Sequence, residues 1–234
     1  MQAVILAGGL GTRLRPLTNG VPKAMVMVRG KPFLEYQIRL LLNGGINSLV
    51  LCIGYLGQSI RDYFGDGGKF GVDILYSDDG DQLLGTAGAL KRAEPLLADD
   101  FFLIYGDSYL FLDYRAIKDY FRRRKELALM VVYRNEDSRE PSNVVTGGGL
   151  VLAYDKETHT DDMTHINFGA SVIRKQALNS VPPSRYYTQE ELYADLIRKR
   201  QLLAYEVYDP YYEVGSREGL AAFDRLVATG AVAT

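Results

Sequence analysis

The sequence of 234 residues has no tryptophan, one cysteine and only two histidines. A single cysteine, Cys52, cannot form an internal disulfide, and it lies in an apolar run typical of a buried strand. No apolar stretch reaches the roughly 20 residues that a membrane-spanning helix needs. With 27 basic and 29 acidic residues, the chain lacks the basic excess of a non-specific nucleic-acid binder. We therefore expect a cytoplasmic protein with no nucleic-acid or membrane partner, and a homodimer stays open.

Strand-like and helix-like segments alternate through the first half of the chain. The pattern predicts strands at 3–6, 49–53, 73–76, 101–105 and 129–133, and helices at 33–43, 57–64, 86–97 and 113–125. The second half predicts a hairpin over 143–154, a strand at 167–173, and helices at 189–198 and 217–227. Such alternation implies an α/β protein with a doubly wound, mostly parallel sheet, a Rossmann-like three-layer sandwich with a small antiparallel portion.

The first predicted strand leads directly into a glycine-rich, basic loop, which reads LAGGLGTRLRPLTNGVPK from Leu6 to Lys23. Gly8, Gly9 and Gly11 allow the main chain to approach an anion closely and to direct N–H groups at it. Arg13 and Lys23 add positive charge. This combination predicts a phosphate-binding loop.

A dinucleotide-binding loop is the alternative, because it also places glycines after a first strand. That motif needs a third glycine at the start of the following helix, where this chain has Leu14. Pro16 would also fall inside that helix, where proline costs about 3 kcal/mol. The spacing therefore disfavours a nicotinamide or flavin oxidoreductase.

A second polar position follows the wholly apolar segment 101–105, which ends at Gly106-Asp107. A carboxylate at the end of a buried strand is costly without a cation or hydrogen-bond donors. In a parallel sheet, the loop after the first strand and Asp107 would meet beyond the carboxyl ends of the strands, where ligands bind. Asp107 is therefore a candidate metal ligand.

The loop pattern G-G-x-G-T-R-L-x-P-x-T, followed by P-K, resembles the signature of the sugar-1-phosphate nucleotidylyltransferases. The resemblance implies a GT-A-like fold, with Arg13 and Lys23 as catalytic residues. The stretch LGTAGAL from Leu84 to Leu90 is similar to the family segment that packs against the base and ribose. The implied nucleotide-binding residues are Leu6, Ala7, Gly8, Gly9, Gly11, Thr12, Gln82, Gly85 and Thr86.

Further stretches extend the resemblance along the chain. Gly106-Asp107 looks like the family's G-D, and YEVGS from Tyr212 resembles W-x-D-[IV]-G-T, so Asp107 and Glu213 are the implied magnesium ligands. Glutamate replaces the family aspartate at 213 and adds one methylene, which leaves its direct contact with the metal open. The implied sugar-phosphate-binding residues are Asn143, Lys156, Asn167 and Gly169. The proline that follows the family lysine is absent after Lys156.

The resemblance implies transfer of a nucleoside monophosphate from a nucleoside triphosphate to a sugar 1-phosphate, with release of pyrophosphate, for surface polysaccharide or glycoconjugate synthesis. The chain looks most similar to short members that activate mannose or heptose 1-phosphates, often with GTP. We expect one domain over 1–234, with a nucleotide-binding part near 1–110 and a sugar-binding part near 111–234. Two alternatives stay open: a cytidylyltransferase for another phosphomonoester or phosphonate, and a silent subunit that senses nucleotide sugars.

Overall fold

A computed structural model describes residues 1–9, 18, 20–80, 84–136, 141–209 and 211–232. Six α-helices lie in these ranges: α1 (Phe33–Asn43), α2 (Gly57–Phe64), α3 (Gly85–Ala93), α4 (Tyr114–Arg122), α5 (Gln189–Arg198) and α6 (Arg217–Ala228). The strands are β1 (Gln2–Leu6), β2 (Met27–Val28), β3 (Lys31–Pro32), β4 (Ser48–Ile53), β5 (Asp73–Asp78), β6 (Asp100–Tyr105), β7 (Ser108–Leu110), β8 (Ala128–Arg134), β9 (Val144–Gly147), β10 (Leu150–Tyr154), β11 (His165–Arg174), β12 (Leu202–Val207) and β13 (Tyr211–Glu213).

Nine of these strands form one sheet in the order β5-β4-β1-β6-β11-β8-β12-β10-β9. The first four strands in that order are mutually parallel, and β8 and β12 form a second parallel pair. Strand β11 runs antiparallel between β6 and β8, and β9 and β10 form the predicted hairpin at one edge. The sheet is therefore parallel on the β1 side and mixed beyond β6.

Both faces of the sheet are apolar because its central strands carry hydrophobic residues at consecutive positions. Along β1, Ala3 and Ile5 pack on one face, whereas Val4 packs on the other. Helices α1, α2 and α4 cover the first face, and α3 and α5 cover the second. The result is the three-layer α/β sandwich that the sequence pattern predicts.

A smaller cluster lies outside the main sandwich and anchors α6. Phe223 of α6 is fully buried against Phe33 of α1 and Tyr109 of β7, with ring centroids 4.9 and 5.0 Å away. Strand β7 pairs in turn with β13, so that Glu213 lies opposite Ser108. This cluster holds the last helix against the segment that follows β6.

Several helices begin where the sequence places a capping residue. Thr188 caps α5 in a reciprocal capping box with Glu191, and Asp113 accepts hydrogen bonds from the first amides of α4.

The predicted α/β class and most elements are confirmed. The helix predicted at 86–97 is wrong at its end, because α3 stops at Ala93 and continues as a 3₁₀ turn. Strand β12 went unpredicted.

The described helices include none that is both long and apolar enough to cross a membrane. The predicted division near residue 110 falls between β7 and α4. The sheet continues across that division through the antiparallel pairing of β6 with β11. Whether the two parts act as nucleotide-binding and sugar-binding units stays a prediction.

Candidate active site

A cleft of about 1040 Å³ opens at the carboxyl ends of β1 and β6. From β1 the chain moves outward to β4 and then β5, and it returns on the other side of β1 to form β6. The order of the strands thus reverses between β1 and β6. In open α/β sheets, ligands bind at this point because the loops on the two sides diverge.

Glycines let two loops meet closely at this point. The Gly106 N–H donates to the Leu6 carbonyl at 3.0 Å, and a Cβ on Gly106 would lie only 2.7 Å from that oxygen. Gly8, in the loop after β1, approaches the end of β4, where its Cβ position is 3.2 Å from the Gly54 nitrogen. A side chain at position 106 would push the two strand ends apart, so glycine is needed there.

Three charged side chains converge beside these strand ends. The Lys23 ammonium lies 2.5 Å from Oδ2 of Asp107. The Glu213 carboxylate reaches the same region, since a Cβ built on Gly215 would lie 2.9 Å from Glu213 Oε2 and 3.0 Å from Lys23 Nζ. Val214 N–H donates to the Asp107 carbonyl at 2.8 Å, which fixes the two acidic segments side by side.

The N-terminus of α3 forms another wall of the cleft. Gly85 and Thr86 line it, but both also contact the segment that leads into α5. A Cβ on Gly85 would lie 2.7 Å from the Tyr187 carbonyl oxygen. The Thr86 hydroxyl accepts a 2.7 Å hydrogen bond from the backbone N–H of Gln189. The small residues of this stretch therefore accommodate a neighbouring loop, a role that the sequence interpretation did not anticipate.

The polar residues predicted for the sugar side are joined by hydrogen bonds. The Asn143 amide oxygen accepts from the Asn167 N–H at 2.9 Å, and the Asn167 amide oxygen accepts from the Gly169 N–H at 3.0 Å. Gly169 adopts a φ of 86° at an irregularity in β11. Its Cβ position is 3.3 Å from the Ser108 hydroxyl. Glycine at 169 thus permits β11 to pass close to β7.

Lys156 lies at the sugar end of the cleft and forms an ion pair with Glu190 on α5. Its ammonium is also 5.8 Å from the centre of the Tyr105 ring. Burial alone would raise the pKa of Glu190, but the hydrogen bond and charge of Lys156 hold that pKa below its ordinary value. A cation held in place at a cleft wall is suited to bind an anionic group.

The structure brings the described members of the predicted site together in this one cleft. The lining includes Leu6, Ala7, Gly8, Gly9, Lys23, Gly85, Thr86, Asp107, Asn143, Lys156, Asn167, Gly169 and Glu213. Four predicted residues, Gly11, Thr12, Arg13 and Gln82, lie outside the described residues. The placement is an observation, whereas the role of each residue stays a prediction.

Asp79 lines the same cleft and was missed by the sequence interpretation. It follows β5, and its amide donates to the Ile53 carbonyl at 2.9 Å. Its Oδ1 is shielded from solvent and has no hydrogen-bond donor among the described residues. Burial raises the pKa of Asp79 to about 6, against the opposing charge of Arg92 and with a smaller contribution from Asp78. The signal was available, because acidic residues follow a predicted strand here as they do at Asp107.

The family model described as nucleotidyl transferase matches residues 2–144. A UTP–glucose-1-phosphate uridylyltransferase of Synechocystis is 29% identical over 215 residues, which cover 85% of this chain and 55% of that protein. A D-glycero-alpha-D-manno-heptose 1-phosphate guanylyltransferase of Campylobacter jejuni is 28% identical over 219 residues, covering 93% of this chain and 96% of the relative. The chain therefore spans about half the length of the first relative and nearly all of the second.

Among solved structures, HddC from Yersinia pseudotuberculosis complexed with GMP-PN has a TM-score of 0.80 and 25% sequence identity. The match covers 97% of this chain and 99% of HddC. The fold and the family model agree, and the chain belongs to the nucleotidyl transferase family.

The Thr86 hydroxyl generates a prediction about stability. Thr86→Val keeps the shape of the side chain but removes the acceptor for the backbone N–H of Gln189. The substitution should therefore lower the free energy of unfolding by about 1–2 kcal/mol. Thr86→Ser retains the hydroxyl and should stay closer to the wild type. Urea unfolding of the three proteins is the measurement, and equal stability of the valine and serine variants would contradict the structural role.

Proposed function

We propose that this protein transfers a nucleoside monophosphate from a nucleoside triphosphate to a sugar 1-phosphate and releases pyrophosphate. The observation that carries the proposal is the cleft itself, in which one end presents the loop after β1 with Lys23, Asp107 and Glu213. The other end presents Asn143, Lys156 and Asn167. Two phosphate-bearing substrates would thus meet at the charged cluster between the two ends.

The reaction needs positioning and charge neutralisation more than it needs a protein nucleophile. A sugar phosphate is an anion at neutral pH, and its oxygen can attack the α-phosphorus directly while the bond to the β-phosphate breaks. The glycine loop would hold the triphosphate through main-chain N–H groups, with Arg13 as a further predicted contact. Lys23 would bind the α-phosphate and the incoming phosphate, where negative charge develops.

The residues of the charged cluster fit a magnesium ion. Mg²⁺ prefers oxygen ligands and is often held by one or two carboxylates together with substrate phosphates and water. Asp107 and Glu213 offer two such carboxylates, and strand pairing between β7 and β13 holds their segments together. When bound there, magnesium would withdraw electron density from the α-phosphate.

At the sugar end, Lys156 would bind the phosphate of the sugar substrate, and Asn143 and Asn167 would contact sugar hydroxyls. The ion pair with Glu190 would hold the Lys156 ammonium in place before the substrate arrives.

Because one matched relative is a uridylyltransferase and another a guanylyltransferase, the comparisons leave the base open. We favour a guanine nucleotide. A cytoplasmic location, a homodimer and a role in polysaccharide synthesis stay predictions.

The proposed reaction is tested with a matrix of the four common ribonucleoside triphosphates, dTTP and a panel of sugar 1-phosphates, in magnesium, with pyrophosphate release as the readout. Release that requires both partners supports the proposal. Binding of a nucleotide sugar, measured separately, without any release would support the sensing subunit instead. No release and no binding with any pair would refute both.

Lys23→Ala should lower kcat about a hundredfold or more with the best substrate pair, since one contact to developing charge typically contributes a few kcal/mol. Lys69→Ala is the matched control, because Lys69 is exposed and lies outside the cleft lining. Steady-state kinetics distinguish the possible roles. A raised KM with an unchanged kcat would mean that Lys23 contributes equally to the ground state and the transition state.

Glu213→Asp should reduce activity clearly, although it restores the residue of the family pattern. The backbone at 213 is held by pairing with Ser108, and a Cβ on Gly219 would lie only 2.2 Å from the Glu213 carbonyl oxygen. The backbone therefore cannot follow the shortened side chain, and Mg²⁺ tolerates little change in ligand distance. Initial rates across a magnesium titration, repeated in manganese, should show a loss in magnesium and partial recovery in the larger ion. Unchanged or improved activity would argue against a site built around glutamate.

A further inference from the structure

Asp79 is the one charged side chain of the described cleft lining for which the proposed reaction has no use. The others are Lys23, Asp107, Lys156 and Glu213, which serve the phosphates, the metal and the sugar. Asp79 follows β5, which lies on the opposite side of β1 from β6 and Asp107. Its Oδ2 is 3.7 Å from the Cβ position of Gly8, and its own Cβ is 3.8 Å from that of Gly54. The Asp79 carboxyl group thus lies at one end of the cleft, where β4 and β5 terminate.

The surroundings of Asp79 supply little to satisfy a carboxylate. No donor to Oδ1 occurs in the described part of the chain, although that atom is shielded from solvent. An unpaired, partly buried carboxylate destabilises a folded protein, and such groups concentrate at functional sites. The neighbouring Asp78 differs, since it is exposed and forms an ion pair with Arg61 at 3.6 Å. Asp79 therefore resembles a ligand-binding group more than a structural one.

We propose that Asp79 reads the base of the nucleotide and selects guanine, whose N1–H and N2–H groups donate together to the carboxylate. This inference rests on the proposed function and specifies the substrate of the same site. The phosphates would lie on the glycine loop, and the base would extend from them toward β5 and the N-terminus of α3.

The chemistry of the bases explains the selection. An ionised carboxylate only accepts hydrogen bonds, and guanine offers two adjacent donors on its Watson–Crick edge. Uracil and thymine offer one donor between two carbonyl acceptors, which would face the carboxylate unfavourably. Cytosine and adenine offer a donor beside an acceptor and would require the protonated acid. A site built for paired hydrogen bonds rejects ligands that leave its polar groups unpaired.

The same chemistry makes the selection depend on pH. The pKa of Asp79 is raised to about 6, so the group ionises between pH 5 and pH 7.5. The groups that face it are Cys52 on β4 and Arg92 on α3, with Asp78 on its own strand paired to Arg61 on α2. Burial keeps the Cys52 thiol protonated in this range by raising its pKa, and arginine does not titrate there. The preference for guanine should therefore strengthen as the pH rises through about 6.

The test is calorimetric binding of GTP, ITP, UTP and CTP to the full chain, in magnesium and without a sugar phosphate. ITP lacks the N2 amino group and isolates one of the two hydrogen bonds. The wild type should bind GTP about tenfold or more tightly than ITP, since hydrogen bonds to charged groups are the stronger ones, and UTP and CTP should bind more weakly still. The UTP dissociation constant divided by the GTP dissociation constant measures the preference for guanine, and titration of the triphosphate cancels in this ratio. The ratio should rise from pH 5 to pH 7.5.

Asp79→Asn should bring the ratio of the ITP to the GTP dissociation constant down to near one. It should also abolish the pH dependence of the ratio of the UTP to the GTP dissociation constant, while leaving affinity for UTP within a few fold. Asp78→Asn is the control, because Asp78 is not part of the cleft lining. At pH 7.5, where Asp79 is ionised with or without the charge of Asp78, this variant should leave the ratio of the ITP to the GTP dissociation constant unchanged. Thermal melting verifies that each variant is folded. If Asp79→Asn does not fold, the wild-type ratios and their pH dependence still decide the matter.

Two results would overturn the inference. UTP binding as tight as GTP binding in the wild type would show that the site does not select guanine. A preference for GTP that persists in Asp79→Asn would show that another residue recognises the guanine base. Neither result bears on whether the protein transfers nucleotides, because pyrophosphate release with UTP or CTP would still support the proposed function.

Discussion

Strands β1 and β6 are paired side by side, and the chain leaves them toward opposite parts of the sheet. The hydrogen bond from Gly106 N–H to the Leu6 carbonyl continues this pairing one step beyond the ladder and fixes where the two loops separate. The glycine loop begins on one side of that point and Asp107 on the other. Strand β7 follows Asp107 directly, so its place in the cleft depends on this separation.

The charged cluster is a consequence of this geometry. Lys23 and Asp107 lie 84 positions apart in the sequence but form a direct ion pair, with side chains only 14% and 25% exposed. Bringing charges this far from water costs desolvation energy that the pair offsets only in part. The polyanionic substrates and the cation of the proposed reaction would make the arrangement favourable. The cluster is therefore better explained by ligand binding than by stability.

The sequence predicted the sandwich because its signals are local. Consecutive apolar residues define β1, apolar residues at helical spacing define α1, and Thr188 marks the start of α5 with a capping box. Strand β12 was missed because its partners β8 and β10 are both distant in sequence, and it is a strand through its pairing with them. Long-range pairing of this kind depends on the assembled core, so the residues of the segment alone do not predict it.

The motifs selected residues that the structure places in one cleft, although the role of each stays a prediction. Motifs located residues such as Asp107 and Lys156. They could not show that Glu190 pairs with Lys156, or that the Thr86 hydroxyl accepts a hydrogen bond from the first residue of α5. Those partners lie on separate elements and meet only in the folded chain. Asp79 was overlooked because no motif contains it, although it follows a predicted strand as Asp107 does.

The contacts between α3 and α5 connect the two ends of the cleft. Tyr187 accepts hydrogen bonds from the Ala87 and Gly88 amides, and the following residues cap α5, from which Glu190 reaches Lys156. The wall proposed for the nucleotide and the cation proposed for the sugar phosphate are thereby attached to the same short segment. A direct displacement between two bound phosphates depends on the distance and alignment of the reacting atoms. A segment that contacts both proposed binding regions can fix that distance without a rearrangement of the sheet.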